Sequence, residues 1–296
     1  MKTFCFLNNK GGVGKTATVT TVGHMMAALH KKRVLLVDMD PQHNSSARFS
    51  DREWTEIFLA IYNRQDVHYE EKSVEDILLD RDFDPHEAIR HTEFEGLDIM
   101  PSYLTLATCE EKIKADVANI QQFRLKNQLE KLKDEYDFCL IDCSPSISIL
   151  NINALAASDE VFLPIRTDGD SCIGMAISFN LIKDVQVYNP SLSVGGVILT
   201  QCNWQEGVAK TTYELLTMCL PKDKIVPIQI GNTKYLKEYS FEQKPLLLLD
   251  RGKKKTRVTQ AYMLLTEYLI SPNRVSFVRK NADRIAELKH FEIEEE

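Results

Sequence analysis

Short apolar runs alternate with longer amphipathic stretches along most of the chain. Between residues 16 and 31, Val22, Met25, Met26 and Leu29 recur at the three- to four-residue spacing of a helix face. Apolar runs of four to seven residues, bounded by turn-forming residues, are typical of buried strands. The pattern predicts strands at 3–7, 34–37, 97–100, 138–142, 161–164 and 194–200. It predicts helices at 16–31, 53–62, 120–132, 172–187, 208–219, 256–270 and 275–288.

Strands that alternate with helices form parallel sheets, because each parallel connection needs a crossover. The expected fold is α/β: a doubly wound, mostly parallel sheet with helices on both faces. No shift in composition and no internal repeat divides the 296 residues. We therefore predict one domain over residues 1–296, with a variable helical segment at 45–95 and a C-terminal helix with an acidic tail at 271–296.

Composition narrows the class of protein. Hydrophobic residues make up 44% and charged residues 27% of the chain, which excludes a disordered protein. No apolar run approaches the roughly 20 residues of a membrane span, and the apolar start ends at Leu7, too early for a secretory signal. We expect a soluble, cytoplasmic protein. Its net charge of −7 does not favour nucleic-acid binding, although residues 251–257 hold five cations.

A glycine-rich loop lies between the first predicted strand and the first predicted helix. Residues 10–16 read Lys-Gly-Gly-Val-Gly-Lys-Thr, a pattern that in this context indicates a phosphate-binding P-loop. Its backbone N–H groups and the helix N-terminus would face a polyphosphate. Lys15 would place a charge at the β- and γ-phosphates, and the Thr16 hydroxyl would ligate Mg²⁺. The predicted nucleotide-binding residues of the loop are Lys10, Gly11, Gly12, Val13, Gly14, Lys15, Thr16 and Ala17.

Aspartates end two of the predicted strands. Asp38 and Asp40 follow the second strand, and Asp142 ends the strand at 138–142. Open α/β sheets bind ligands at the carboxyl ends of their strands, where carboxylates suit Mg²⁺. The alternative for each aspartate is a helix cap or a turn.

These motifs resemble those of the ParA/MinD family of P-loop ATPases, and most closely its short partition ATPases. A loop that opens with a lysine is the family's deviant Walker A pattern. Residues 38–42 are similar to the family's Asp-x-Asp-Pro-Gln segment, and residues 136–146 to its Tyr-Asp-apolar-Ile-Asp segment. The resemblance covers residues 1–44 and about 97–270. It implies a P-loop NTPase fold, ATP and Mg²⁺ as cofactors, and slow ATP hydrolysis.

The resemblance also implies roles for single residues. Lys10 would reach the nucleotide of the partner subunit in a homodimer that forms on ATP. Asp40 would position the attacking water, so that Lys10, Lys15 and Asp40 are the expected catalytic residues. The expected magnesium ligands are Thr16, Asp38 and Asp142. At residue 43 the family usually has glycine and this chain has His43, whose side chain we expect to face solvent.

Contacts to the base and to DNA carry the weakest sequence signal. Asn203 and Pro227 are candidates for contact with adenine, and a role in loop structure is the alternative. Non-specific DNA binding, which the resemblance implies, needs cations that face phosphates. The candidates are Lys234, Lys237, Lys244, Arg251, Lys253, Lys254, Lys255 and Arg257. The alternative is a solvated charged face.

The resemblance thus implies a nucleoid-associated partition ATPase that binds DNA as a dimer and is stimulated by a ParB-like protein. One alternative is an ATP-gated scaffold that positions a protein complex and does not bind DNA. Another is a metabolic P-loop enzyme, for which we find no substrate or metal-cluster motif. We expect no membrane binding of the MinD kind, because Glu294, Glu295 and Glu296 would be repelled by anionic lipid.

Overall fold

The computed structural model describes residues 1–50, 54–63, 71–202 and 207–289. The strands in these ranges form one seven-stranded sheet in the order β3-β4-β2-β5-β1-β6-β7. All neighbouring strands are parallel except β3 and β4. The strands are β1 Lys2–Phe6, β2 Val34–Met39, β3 Arg90–His91, β4 Leu97–Met100, β5 Phe138–Cys143, β6 Glu160–Arg166 and β7 Ser193–Thr200.

Helices connect the strands and cover both faces of the sheet. In the first half of the chain they are α1 Lys15–His30, α2 Asn44–Arg48, α3 Trp54–Tyr62, α4 Val74–Leu79, α5 Leu106–Ala115, α6 Arg124–Lys131 and α7 Ile149–Ala156. In the second half they are α8 Gly169–Gln186, α9 Gly207–Cys219, α10 Lys234–Glu242, α11 Leu246–Leu249, α12 Arg257–Ile270, α13 Arg274–Lys280 and α14 Ala282–Leu288. None of the described helices has the length and apolarity that a membrane crossing requires.

The core has two layers because side chains of a strand alternate between the two faces of the sheet. Phe4 and Phe6 of β1 pack in one layer, together with helices α1 and α12. Cys5 and Leu7 pack in the other, against helices that include α7 and α8. Both faces of the sheet are therefore buried, which confirms the predicted doubly wound α/β fold.

The structure differs from the predicted elements in several places. The helix predicted at 275–288 is broken at Asn281, which lies between α13 and α14 with φ −112° and ψ 21°. Helices α5, α7, α10 and α11 and the antiparallel strand β3 have no counterpart in the prediction. The first strand and first helix lie where the pattern predicts them. They place the glycine-rich loop in the interior of the sheet, because β1 lies between β5 and β6.

Candidate nucleotide-binding site

The glycine-rich loop joins the carboxyl end of β1 to the first turn of α1. Gly12 and Gly14 adopt φ values of 74° and 85°, which side chains of L-residues rarely allow. Gly14 is the N-cap of α1, and no side chain caps the helix. A Cβ added to Gly11 or Gly12 would meet no atom within 4 Å, so open space lies in front of the loop. This arrangement leaves backbone N–H groups and the helix dipole available to an anion.

Lys15 is the buried cation of the loop, with 6% of its surface exposed. Its Nζ donates to the carbonyl oxygens of Asn8 at 3.1 Å and Lys10 at 3.0 Å. Burial lowers the pKa of Lys15, and the nearby carboxylate of Asp142 opposes that shift. The amine is thus held inside the loop by acceptors that a phosphate could replace.

Two other elements hold the loop in place. The Thr200 hydroxyl at the end of β7 lies 2.8 Å from the carbonyl oxygen of Val13, and Gln201 Nε2 donates to the carbonyl of Gly12 at 2.8 Å. Helix α8 packs so closely that a Cβ on Gly174 would lie 2.8 Å from the Cβ of Lys10. The loop is therefore fixed from the side of β7 and from α8.

Asp38 and Asp142 lie side by side at the carboxyl ends of β2 and β5, and both are fully buried. Asp38 Oδ2 accepts hydrogen bonds from the Ser46 N–H at 2.8 Å and the Ser46 hydroxyl at 2.6 Å. Asp142 Oδ2 accepts from the Ser45 hydroxyl at 2.7 Å. Burial, and then the charge of Asp142, raise the pKa of Asp38 to about 8. Burial also raises the pKa of Asp142, while hydrogen bonds from Ser45 and Thr16 oppose that shift.

This carboxylate pair fits a divalent cation. Among the described residues, Oδ1 of Asp142 is buried and has no hydrogen-bond partner. Two buried carboxylates that repel each other are stabilised as anions by a nearby positive ion. No group of three or more His, Cys, Asp or Glu side chains in the described ranges could hold a metal ion by itself. Mg²⁺ would therefore need the Thr16 hydroxyl, phosphate oxygens and water as further ligands.

Asp40 begins the loop between β2 and α2 and is 7% exposed. Its Oδ1 accepts from the Gln42 N–H at 2.9 Å, and its carbonyl accepts from the Ser102 hydroxyl at 3.1 Å.

The expectation that His43 faces solvent is wrong. His43 is 8% exposed. Its φ of 42° lies in the left-handed region, which suits the glycine that the family usually has at this position.

Lys10 lies at the rim of the site, in surroundings opposite to those of Lys15. Its Nζ forms an ion pair with Asp170 Oδ2 at 3.0 Å, and 42% of its side chain is exposed. Asp170 lies in the first turn of α8. The loop thus presents one lysine inward and one outward.

A cavity of about 190 Å³ adjoins the loop on the side of β7 and is the candidate base pocket. Its lining includes Ala17, Gly231 and Asn232. Asn232 Nδ2 donates to the carbonyl of Gln201 at 3.2 Å. Sequence reasoning missed residues 231–233, and their only signal was the turn-forming Gly-Asn-Thr before α10.

The structure describes one of the two residues predicted to contact the base, and that residue does not line the candidate base pocket. Asn203 lies outside the described residues, so its contact with the base stays a prediction. Pro227 lines a different cavity, at the amino ends of the strands, with Lys2, Phe138 and Glu160. The expectation that Pro227 contacts adenine is corrected accordingly. The segment 225–231 runs parallel to β7, so that its later residues, rather than Pro227, reach the P-loop.

The eight candidate DNA-binding cations do not form one uniform surface. Lys255 Nζ donates to the carbonyl of Leu247 at 3.0 Å and to that of Asp250, so it points toward the protein. Arg257 donates to the carbonyl of Glu287 at 2.8 Å. Lys237 lines the candidate base pocket. Lys234 and Lys244 lie 3.7 Å from Glu238 and Glu242, whereas Arg251, Lys253 and Lys254 are exposed.

Together, the glycine loop, the buried lysine and the paired aspartates define a P-loop nucleotide-binding site. A family model described as an AAA domain matches residues 1–194. The sporulation initiation inhibitor protein Soj of Bacillus subtilis is 33% identical over 90% of this chain and 97% of its own length. The chromosome-partitioning ATPase Soj of Treponema pallidum is 32% identical over 73% of this chain and 78% of its own.

A solved structure shares the fold of this chain. Cobyrinic acid a,c-diamide synthase from Mycobacterium smegmatis, with bound ADP and magnesium, is 25% identical, with a TM-score of 0.70 over 91% of this chain and 94% of its own. The chain belongs to the ParA/MinD family of P-loop ATPases. The resemblance inferred from residues 10–16, 38–42 and 136–146 is thereby confirmed.

Proposed function

We propose that this chain is a partition ATPase that binds Mg–ATP at the P-loop, dimerises on ATP and binds DNA non-specifically. The observation that carries the proposal is the contrast between the two lysines of the loop. Lys15 is buried beside Asp142, where it can bind the chain's own nucleotide. Lys10 is exposed at the rim, where it can reach the nucleotide of a second subunit.

The chemistry follows from the residues around the loop. Bound Mg²⁺ would supply charge neutralisation at the phosphate oxygens. Thr16, Asp38 and Asp142 would hold the ion, Lys15 would bind the β- and γ-phosphates, and Asp40 would orient the attacking water. Because Lys10 comes from the partner subunit, an isolated chain lacks part of the site. We therefore expect slow hydrolysis that a ParB-like protein stimulates.

The exposed cations of the α11–α12 connection are the proposed contacts to DNA phosphates. Arg251, Lys253 and Lys254 are the members of the predicted set best placed for this role. The name of the Treponema relative, a chromosome-partitioning ATPase, supports the partition function. With DNA as the partner, we propose a nucleoid-associated location in the cytoplasm.

A scaffold that is gated by ATP and does not bind DNA is the second candidate. It is favoured by the inward orientation of Lys255 and the hydrogen bond of Arg257 to α14, which reduce the number of cations available to phosphate.

A DNA mobility shift in low salt, with and without ATP, separates the two candidates. Partition predicts retardation that needs ATP and decreases as salt rises. Lys253→Glu with Lys254→Glu should abolish the shift and leave ATP binding unchanged. The control is Glu110→Gln with Glu111→Gln on α5, which should keep the shift. Intact ATP hydrolysis without any retardation would favour the scaffold.

Asp40→Ala tests the chemical assignment. We expect the variant to bind ATP and dimerise, with turnover reduced roughly 100-fold, because the attacking water loses its orienting carboxylate. Single-turnover hydrolysis measures the effect. Normal turnover would show that another residue positions the water.

A further inference from the structure

A second cavity lies at the amino ends of the strands, on the side of the sheet away from the P-loop. Its volume is about 850 Å³, within the range of small-molecule and peptide pockets. Lys2, Phe138 and Glu160, the first residues of β1, β5 and β6, form one wall. Residues of α12 and α13 form the opposite wall. The cavity contains none of the P-loop residues or the aspartates described above.

The charge of this cavity is opposite to that of the whole chain. Six cationic side chains line it against two acidic ones, while the chain has a net charge of −7. The cations are Lys2, Lys222, Lys224, Arg274, Arg279 and Lys289, and the acids are Glu160 and Asp223. A local excess of four positive charges in an acidic protein favours an anionic occupant.

Three of the cations stabilise the wall itself. Glu160 forms ion pairs with Arg274 and with Lys2, the latter at 3.2 Å. The Arg274 guanidinium lies 5.1 Å from the ring centre of Phe162. Lys224 Nζ donates to the carbonyl of Val194 at 2.9 Å.

The other three cations, Lys222, Arg279 and Lys289, have no ion pair within the described ranges. Lys222 and Arg279 are exposed and Lys289 is half-buried. The aromatic lining residues Phe138 and Tyr213 are half-buried, whereas Phe4 and Tyr268 are buried behind them. An occupant that combines carboxylates with apolar side chains would therefore match the lining.

A sequence with both kinds of side chain comes directly after a lining residue of the cavity. Lys289, a lining residue, is followed by His-Phe-Glu-Ile-Glu-Glu-Glu at positions 290–296. Four glutamates match the uncompensated cations, and Phe291 and Ile293 match the aromatic wall. Residues 290–296 lie outside the described ranges, and their sequence is what matches the cavity. Seven residues can span up to about 23 Å, which exceeds the width of a cavity of this volume.

We propose that the cavity binds the acidic sequence 290–296 of its own chain. Attachment at Lys289 gives this sequence an effective concentration in the millimolar range, which an unlinked acidic peptide would have to match. The cavity would thereby neutralise its excess charge without a second protein. The proposal is independent of nucleotide binding, since no residue of the P-loop takes part.

Disulfide trapping in the full-length chain tests the proposal. Of the seven cysteines only Cys219 is exposed, so Cys219→Ser provides the background. Glu295→Cys is combined with Asp223→Cys at the cavity rim. We expect an intramolecular disulfide to form at least about tenfold faster than in the control, which pairs Glu295→Cys with Glu111→Cys on the exposed surface of α5. High salt should slow the reaction several-fold.

A charge exchange separates specific binding from chance contact. Lys222→Glu with Lys289→Glu should slow trapping about fivefold, and the addition of Glu294→Lys with Glu296→Lys should restore it. Circular-dichroism melting checks that the variants are folded. Trapping no faster than the control, or no restoration, would overturn the proposal in favour of an external anion. Disulfides between chains that increase with protein concentration would also overturn it, in favour of a second copy as the occupant.

Discussion

The two ends of the sheet differ in charge and in how the sequence encodes them. At the carboxyl ends, Asp38 and Asp142 lie beside a glycine loop that is continuous in sequence. At the amino ends, a cationic and aromatic cavity is assembled from β1, β5, β6, the segment 222–229 and the C-terminal helices. A phosphate site can be read from a short motif because adjacent N–H groups form it, whereas the cavity exists only after distant segments pack.

The largest effect is expected at Lys15. Lys15→Gln removes the only charge inside the loop that faces the β- and γ-phosphate position, so we expect ATP to bind at least about 100-fold more weakly. Isothermal titration calorimetry in magnesium buffer measures the change. Lys10→Ala is the matched control and should keep binding within a few-fold. Equal losses in the two variants would contradict the division between an inner and an outer lysine.

Sequence reasoning succeeded where a site residue directly follows an apolar strand, and it failed where the surroundings of a residue depend on segments distant in the sequence. Residues 10–16, 38 and 142 could be predicted because each follows an apolar strand, and parallel strands bring their carboxyl ends together. The ion pair of Lys10 with Asp170 could not, since 160 positions separate the partners. Pro227 was misplaced because the sequence gives no register for the segment that runs beside β7. The buried His43 was misplaced because solvent exposure of one loop residue depends on packing.

A pH experiment tests whether the stability of the P-loop end of the sheet depends on a buried carboxyl group that lies outside the sequence motifs. Glu75 Oε1 accepts hydrogen bonds from the Tyr103 N–H at 2.9 Å and the Thr105 hydroxyl at 3.0 Å, next to Ser102, which contacts Asp40. Burial raises the pKa of Glu75 to about 7 from 4.5. The native state therefore holds a proton that the unfolded state loses, and the free energy of unfolding decreases as pH rises from 4.5 through 7.

Glu75→Gln should remove this dependence, because the amide keeps the acceptor and cannot ionise. Relative to the variant, the wild type should lose at most about 3 kcal/mol of stability between pH 4.5 and 8. Urea unfolding at several pH values measures the difference. Glu111→Gln on the exposed face of α5 is the control. Parallel stability curves for wild type and Glu75→Gln would mean that the buried carboxyl group ionises normally.

The smallest expected effect tests the packing of α8 on the P-loop. A Cβ on Gly174 would lie 2.6 Å from Asn8 Oδ1 and 2.8 Å from the Cβ of Lys10. Gly174→Ala should therefore displace the loop, cost about 2 kcal/mol of stability and weaken ATP binding several-fold. Gly169→Ala in the same helix is the matched control, since its Cβ would meet nothing within 4 Å. Thermal melting and calorimetry measure both effects, and identical behaviour of the two variants would show that this contact does not constrain the loop.

Sedimentation velocity tests the central claim most directly. The claim is that Lys15 binds the nucleotide of its own chain and Lys10 reaches the nucleotide of the partner subunit. The wild type and Lys10→Ala are compared, each saturated with a non-hydrolysable ATP analogue and Mg²⁺. We predict a dimer for the wild type and a monomer for Lys10→Ala, although both bind the analogue. A wild type that remains monomeric at saturation, or a Lys10→Ala variant that dimerises equally well, would contradict the account.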